Sequence, residues 1–136
     1  MTRKELLSVP HEKWSEPAFC LEMVMKCGEA LGFVQEKIIS AEMCLAAVRQ
    51  DGLSLEYVPK RFVYAIKTSS IGFYTETLFL EAVTQNGFAL AYVPVLLLTK
   101  AIVAAALQQN RNALQYVPDI WREEAKNAIN NKEKTP

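Results

Sequence analysis

Apolar residues recur along this chain in two alternating patterns, and the patterns themselves recur. Met43, Cys44, Ala47 and Val48 follow the i, i+1, i+4, i+5 spacing of one buried helix face about ten residues long. A short run closed by proline follows, Leu55-Glu56-Tyr57-Val58-Pro59, and nearly the same phrase returns as Leu90-Ala91-Tyr92-Val93-Pro94 and Leu114-Gln115-Tyr116-Val117-Pro118. Tyr92 to Tyr116 is a step of 24 residues and Tyr57 to Tyr92 a step of 35; a step of 24 back from Tyr57 reaches Phe33 in Leu31-Gly32-Phe33-Val34-Gln35. Four tandem units are predicted, with eleven extra residues in the third, within the stretch Lys60 to Tyr74.

Alignment on the proline phrases brings a second set of columns into register. Cys20-Leu21-Glu22-Met23-Val24, Cys44-Leu45-Ala46-Ala47-Val48, Phe79-Leu80-Glu81-Ala82-Val83 and Val103-Ala104-Ala105-Ala106-Leu107 fall together. Between the two sets lies a turn column of Gly28, Gly52, Gly87 and, as the exception, Arg111, preceded by Cys27, Asp51, Asn86 or Asn110. Asp-Gly or Asn-Gly after an apolar helical run predicts a helix stop through a left-handed residue. Helix starts are expected at Ser15 or Glu16 before Pro17, and at Ser40, Thr75 and Thr99. The second helix of a unit, such as Leu53 to Tyr57, ends where the residue before proline is pushed out of helical geometry.

A unit of 24 residues cannot enclose its own apolar face, so the units must stack. The predicted fold is all-α, a short α-solenoid of tandem two-helix repeats with half-repeat caps. Repeats are expected at about 11–35, 36–59, 60–94 with the insertion, and 95–118. A capping helix at 119–129 closes a single domain, 1–129, and 130–136 reads as a flexible tail. At the other end Glu5-Leu6-Leu7-Ser8-Val9-Pro10 matches the tail of a repeat.

Composition narrows the functional classes. With 51% hydrophobic and 22% charged residues in 136, a packed core is expected throughout. Fifteen basic residues balance fifteen acidic ones, which argues against nucleic acid as a partner. The longest apolar stretch, Phe88 to Leu98, contains Pro94 and falls short of the ~20 residues of a membrane span, so no membrane association is expected. Met1 to Leu7 lacks the apolar run of a secretory signal, and three cysteines argue against a disulfide framework; the expected location is cytoplasmic.

The unit Leu-x-x-Ala-Val, Asn/Asp-Gly, Ala-Leu-x-Tyr-Val-Pro resembles an uncharacterised repeat domain of bacterial and protist proteins, catalogued as a domain of unknown function. The likeness is best over Ser40 to Pro59 and Thr75 to Pro118, and weaker in the first copy, where Gly32, Phe33 and Gln35 replace the usual residues. The resemblance implies a helical-repeat fold and transfers no catalytic residue.

Candidate chemistry is sparse. Cys20 and Cys44 share a column with Phe79 and Val103, so the column calls for an apolar filler and not a metal ligand. Cys27 and the lone His11 would each have to support a reactive site unaided. No phosphate loop, nucleophile elbow or His-Glu-x-x-His helix is present, so no enzyme activity, cofactor or metal is expected. The aromatic column Phe33, Tyr57, Tyr92 and Tyr116 reads as a stacked spine inside the solenoid, hydroxyls at its edge. The expected function is a non-enzymatic protein–protein interaction module, its partner another protein or a second copy of the chain. Lys60, Arg61, Tyr64 and Lys67 are candidate partner-binding residues, since insertions in solenoids map to one face, and Leu53 and Phe88, after the turn glycines, are added as a candidate exposed apolar patch. A second reading makes Lys60, Arg61, Lys67 and Arg111 a basic patch for a ligand or nucleic acid. The apolar link Pro94-Val95-Leu96-Leu97-Leu98 is expected to be covered, by the insertion or by a second copy.

Overall fold

The computed structural model describes residues 1–64 and 70–134. Its α-helices are α1 (Arg3–Leu7), α2 (Pro17–Lys26), α3 (Ala41–Gln50), α4 (Lys60–Val63), α5 (Ser70–Gln85), α6 (Lys100–Gln109) and α7 (Asp119–Lys134), with no strand among the described residues. No helix among them is long and apolar enough to cross a membrane. The second helix of every repeat is a 3-10 helix of six residues: Gly28–Phe33, Gly52–Tyr57, Gly87–Tyr92 and Arg111–Tyr116. Helices α2, α3, α5 and α6 pack side by side in chain order as one layer, and the four 3-10 helices pack in the same order as the other. The fold is thus the all-α helical repeat expected from the columns.

Six residues between a turn and a proline are too few for a useful α-helix, and 3-10 bonding closes each turn one residue sooner. Its period of three also aligns Gly52, Leu55 and Val58, all buried. The same line in the neighbouring repeats carries Gly28, Leu31 and Val34, then Gly87, Leu90 and Val93, again buried. These meet the buried face of the α layer, Cys20 and Val24, Cys44 and Val48, Phe79 and Val83, in one continuous core.

The turn column differs from expectation. None of its glycines has a positive φ, so no left-handed residue stops the α-helices. Asp51, Asn86 and Asn110 are extended and cap the following 3-10 helix instead, each side-chain oxygen accepting from the amide two residues on, at 3.0, 3.0 and 2.9 Å. Glycine is required for a different reason, which is proximity to the next repeat. A Cβ on Gly28 would lie 2.6 Å from the Ala47 carbonyl oxygen, one on Gly87 2.5 Å from that of Ala106, and one on Gly52 closer still to that of Ala82. Arg111 holds the same column in the fourth repeat, where α7 is the element that packs against the 3-10 helix among the described residues.

Ser40 and Thr99 cap α3 and α6 as expected, accepting from the Met43 and Ile102 amides at 3.1 and 3.2 Å. Thr75 does not cap a helix. The insertion extends α5 back to Ser70, so Thr75 lies inside it, buried, and its hydroxyl donates to the Phe62 carbonyl at 2.8 Å. The N-terminal half-unit forms as α1, its Leu6 fully buried in the column of Leu31, Leu55 and Leu90. At the far end α7 runs on to Lys134, past the expected end at 129.

Candidate interaction edge

Each of these 3-10 helices, and α1 in the N-terminal half-unit, leads into a four-residue connector that returns the chain to the α layer. The connectors are 11–14, 36–39, 60–63 and 95–98, with 119–122 as the opening turn of α7. Burial repeats along them: the first two residues are exposed in all five, while Trp14, Ile39, Val63 and Leu98 at the fourth position are buried. The reason is geometric, since a single helical turn pinned at both ends directs its last residue into the core and its first two outward. Trp14 fills its place by stacking on Phe33, ring centroids 5.4 Å apart. Adjacent connectors are tied together: the Gln35 amide donates to the Trp14 carbonyl at 3.3 Å, and the Arg61 guanidinium donates to the Glu36 and Ile39 carbonyls at 3.0 and 2.8 Å.

The outward pairs change character along this edge. In the first three connectors they are His11-Glu12, Glu36-Lys37 and Lys60-Arg61; in the last two they are Val95-Leu96 and Asp119-Ile120. Val95 is 67% exposed, Leu96 94% and Ile120 84%. The expected cover over Pro94 to Leu98 is therefore absent among the described residues, although Leu98 itself is buried and Leu97 half-buried. Solvent-facing leucine and isoleucine in positions that otherwise carry charge have no packing explanation among the described residues.

The residues singled out from the sequence fall in several places. Lys60 and Arg61 lie on the edge, but Arg61 is held by the two carbonyls, by the Glu36 carboxylate at 3.9 Å and by stacking over Phe62 at 4.7 Å. Tyr64, just after α4, is exposed. Lys67 lies outside the described residues. Leu53 and Phe88 are half-buried on the 3-10 layer, away from the edge, and Tyr116 of the next repeat meets Phe88 edge-on at 6.0 Å; the side chains of 65–74, the expected cover, lie outside the described residues. Arg111 also belongs to that layer, so the structure does not bring it together with Lys60 and Arg61 on one connector. Val95, Leu96 and Ile120 were missed as site residues; the signal available in the sequence was their column, charged in earlier repeats and apolar here.

The aromatic column is a surface stripe and not an internal spine. Tyr92 and Tyr116 are 41% and 40% exposed, and Phe33 and Tyr57 half-buried. Tyr57 lies flat against Gly32 of the preceding repeat, where a Cβ would meet its ring at 3.0 Å. Partial burial, then the neighbouring Glu56 carboxylate, with Tyr57 and Tyr116 nearby, hold the Tyr92 hydroxyl above its ordinary pKa. The cysteine columns behave as fillers: Cys20 and Cys44 are fully buried and unpaired, and burial pushes the Cys44 thiol up to about 12. Cys27 is half-buried between α2 and its 3-10 helix, and His11 is exposed at the first connector.

These features define a two-layer helical-repeat protein with a half-unit at its N-terminus and a single helix closing the other end. The chain belongs to the family described as a domain of unknown function (DUF4116), whose model matches it twice, over residues 18–63 and 75–122. The two matches leave out residues 64–74, the eleven that break the period, and include 60–63, a regular connector. Neither the curated proteins nor the solved structures include a match to the chain.

Proposed function

We propose that this chain is a non-enzymatic protein–protein interaction module whose docking surface is the C-terminal half of the connector edge. The observation that carries the reading is the exposure of Val95, Leu96 and Ile120 in columns occupied by charge earlier in the chain. Burying such side chains at an interface removes apolar area from water at about 25 cal/mol per Å², and apolar patches of this kind mark partner sites. Lys60, in the preceding connector, and Tyr64, just after it, are also exposed. Engagement of Arg61 with Glu36 and two backbone carbonyls favours this surface over a basic patch for a ligand or nucleic acid. Three unpaired thiols fit a cytoplasmic setting.

The test is affinity capture from cells of the native organism with the intact protein and with a Leu96→Glu, Ile120→Glu variant. Stoichiometric capture of a protein by the intact chain, lost in the variant, is expected. Equal capture by both, or none by either together with no self-association, would overturn the reading.

A further inference from the structure

We infer that Asn86-Gly87 is a covalent modification site, a deamidation point held shut by the stacking of the third repeat on the fourth and unable to restack once isoaspartate has formed there. It is the only Asn-Gly pair in the chain, the pairing in which no side chain hinders the nitrogen that follows asparagine. The reaction is intramolecular. The Gly87 nitrogen, its proton lost to hydroxide, bonds to Cγ of Asn86 while the Cγ–Nδ2 bond breaks, and the departing nitrogen takes a proton from water and leaves as ammonia. Water then opens the succinimide ring at either carbonyl. One opening gives aspartate, the other isoaspartate, whose main chain runs through the former side-chain carbon.

Both reacting groups are occupied in the stacked chain. The Gly87 amide is buried and donates to Oε1 of Gln109, on α6, at 2.5 Å, so its proton is withheld from solvent until that bond breaks. The Asn86 side-chain oxygen accepts from the Phe88 amide at 3.0 Å, which holds the carboxamide as the cap of its 3-10 helix. Ring closure therefore waits on a local opening between these two repeats.

The two products differ in whether that opening can close again. Aspartate fits, because Asp51 stands in the same column and makes the same bond to the Leu53 amide at 3.0 Å. Isoaspartate does not. The Asn86 amide is tied to the Ala82 carbonyl of α5 at 2.9 Å and Gly87 to α6, so the added methylene enters the main chain between two anchors. Space there is already exhausted, since a Cβ on Gly87 would lie 2.5 Å from the Ala106 carbonyl oxygen and 3.0 Å from Oε1 of Gln109. The Asn86 carbonyl that accepts from the buried Ala89 amide at 2.9 Å also leaves the main chain and becomes a carboxylate. Opening of this junction is thus converted into a permanent mark, and the marked chain restacks less well.

Ageing at mildly alkaline pH, followed by peptide mass spectrometry that separates asparagine, aspartate and isoaspartate at position 86, tests the site. Asn86 is expected to react on the order of ten-fold or more slowly in the folded chain than in the chain unfolded by urea. Gln109→Ala should react several-fold faster than the intact chain when both are folded, and at an equal rate when both are unfolded. Folded and unfolded chains that age alike overturn the inference, as does a folded Gln109→Ala variant that ages no faster. The second arm returns the urea-aged chain to buffer and separates the products. Asn86→Asp should keep the urea midpoint of the intact chain, whereas the isoaspartate fraction should unfold at lower urea and lose hydrogen-exchange protection at the Ala89 amide. An isoaspartate fraction that regains the intact midpoint, or an Asn86→Asp variant as destabilised as that fraction, overturns the restacking block.

Discussion

Gly52 lies directly against the carbonyl oxygen of Ala82 in the next repeat, with no room between them for a methyl group. The contact lets the 3-10 layer of one repeat seat under the α-helix of the next, and the same approach recurs from Gly28 to Ala47 and from Gly87 to Ala106. Backbone atoms on both sides of the contact cannot swing away as a side chain would. Gly52→Ala is therefore expected to lower stability by about 2–3 kcal/mol, from overpacking. Arg111→Ala, at an exposed position of the same column, should cost less than Gly52→Ala. Urea unfolding of the two variants, followed by circular dichroism, makes the comparison.

Gln85 bridges two repeats at the same junction. Its side-chain oxygen accepts from the buried Gly52 amide at 2.5 Å, and its side-chain nitrogen donates to the Gln50 carbonyl at 3.3 Å. Gln109 repeats the first bond to the Gly87 amide at 2.5 Å, and Gln50 donates to the Met25 carbonyl. Removing the acceptor strands a buried N–H, so Gln85→Ala should cost about 1–3 kcal/mol. The Gly52 amide should also exchange faster with solvent in that variant, as measured by native-state hydrogen exchange; unchanged exchange would sink the bridging role.

Ser54 stands in a column otherwise filled by Ala30, Ala89 and Ala113, and it is buried, its hydroxyl having no hydrogen-bond partner among the described residues. A hydroxyl that has left water and gained no partner is a net cost. Ser54→Ala is expected to raise stability by about 1 kcal/mol, read as a higher urea midpoint at constant slope.

Cys44 makes stability depend on alkaline pH. Burial raises its folded pKa from an ordinary value near 9 to about 12, so at neutral pH the thiol is protonated in both states and its contribution is level. Between about 9 and 12 the unfolded chain ionises first, binds fewer protons than the native chain, and folding stability falls as pH rises. Cys44→Val, the counterpart of Val103 in the fourth repeat, removes this component, so its stability should decline less steeply above pH 9 than that of the intact protein. In native protein at pH 8 a thiol reagent should modify Cys27 before Cys20 or Cys44, because both of these are fully buried.

Much of the fold could be read from spacing, because stacked repeats impose the same burial on the same column. Leu31, Leu55 and Leu90, or Val24, Val48 and Val83, recur since each unit meets an equivalent neighbour, and the interruption after Val63 showed as a broken period. The glycine column was legible as a column but not in its cause. A local rule explains Asn-Gly by backbone conformation, whereas here the demand comes from a carbonyl in the next repeat. Thr75 likewise looks like Ser40 and Thr99 in its column, and only the backward extension of α5 places it inside a helix.

The candidate site was half legible. The apolar link at Val95 and Leu96 stood out in the sequence, but a hydrophobic run alone reads as something buried. Its counterpart in the next connector, Ile120, sits 24 residues on and begins what looks like a capping helix. The sequence by itself determined the class, the period, the insertion and the core columns, because those follow from local periodicity repeated under identical neighbours. Only the tertiary structure decided that the second helix is 3-10, that the tyrosines line a surface, and that the first two residues of every connector face solvent. Those depend on which atoms of one repeat lie against the next, and that distance is not written in any single unit.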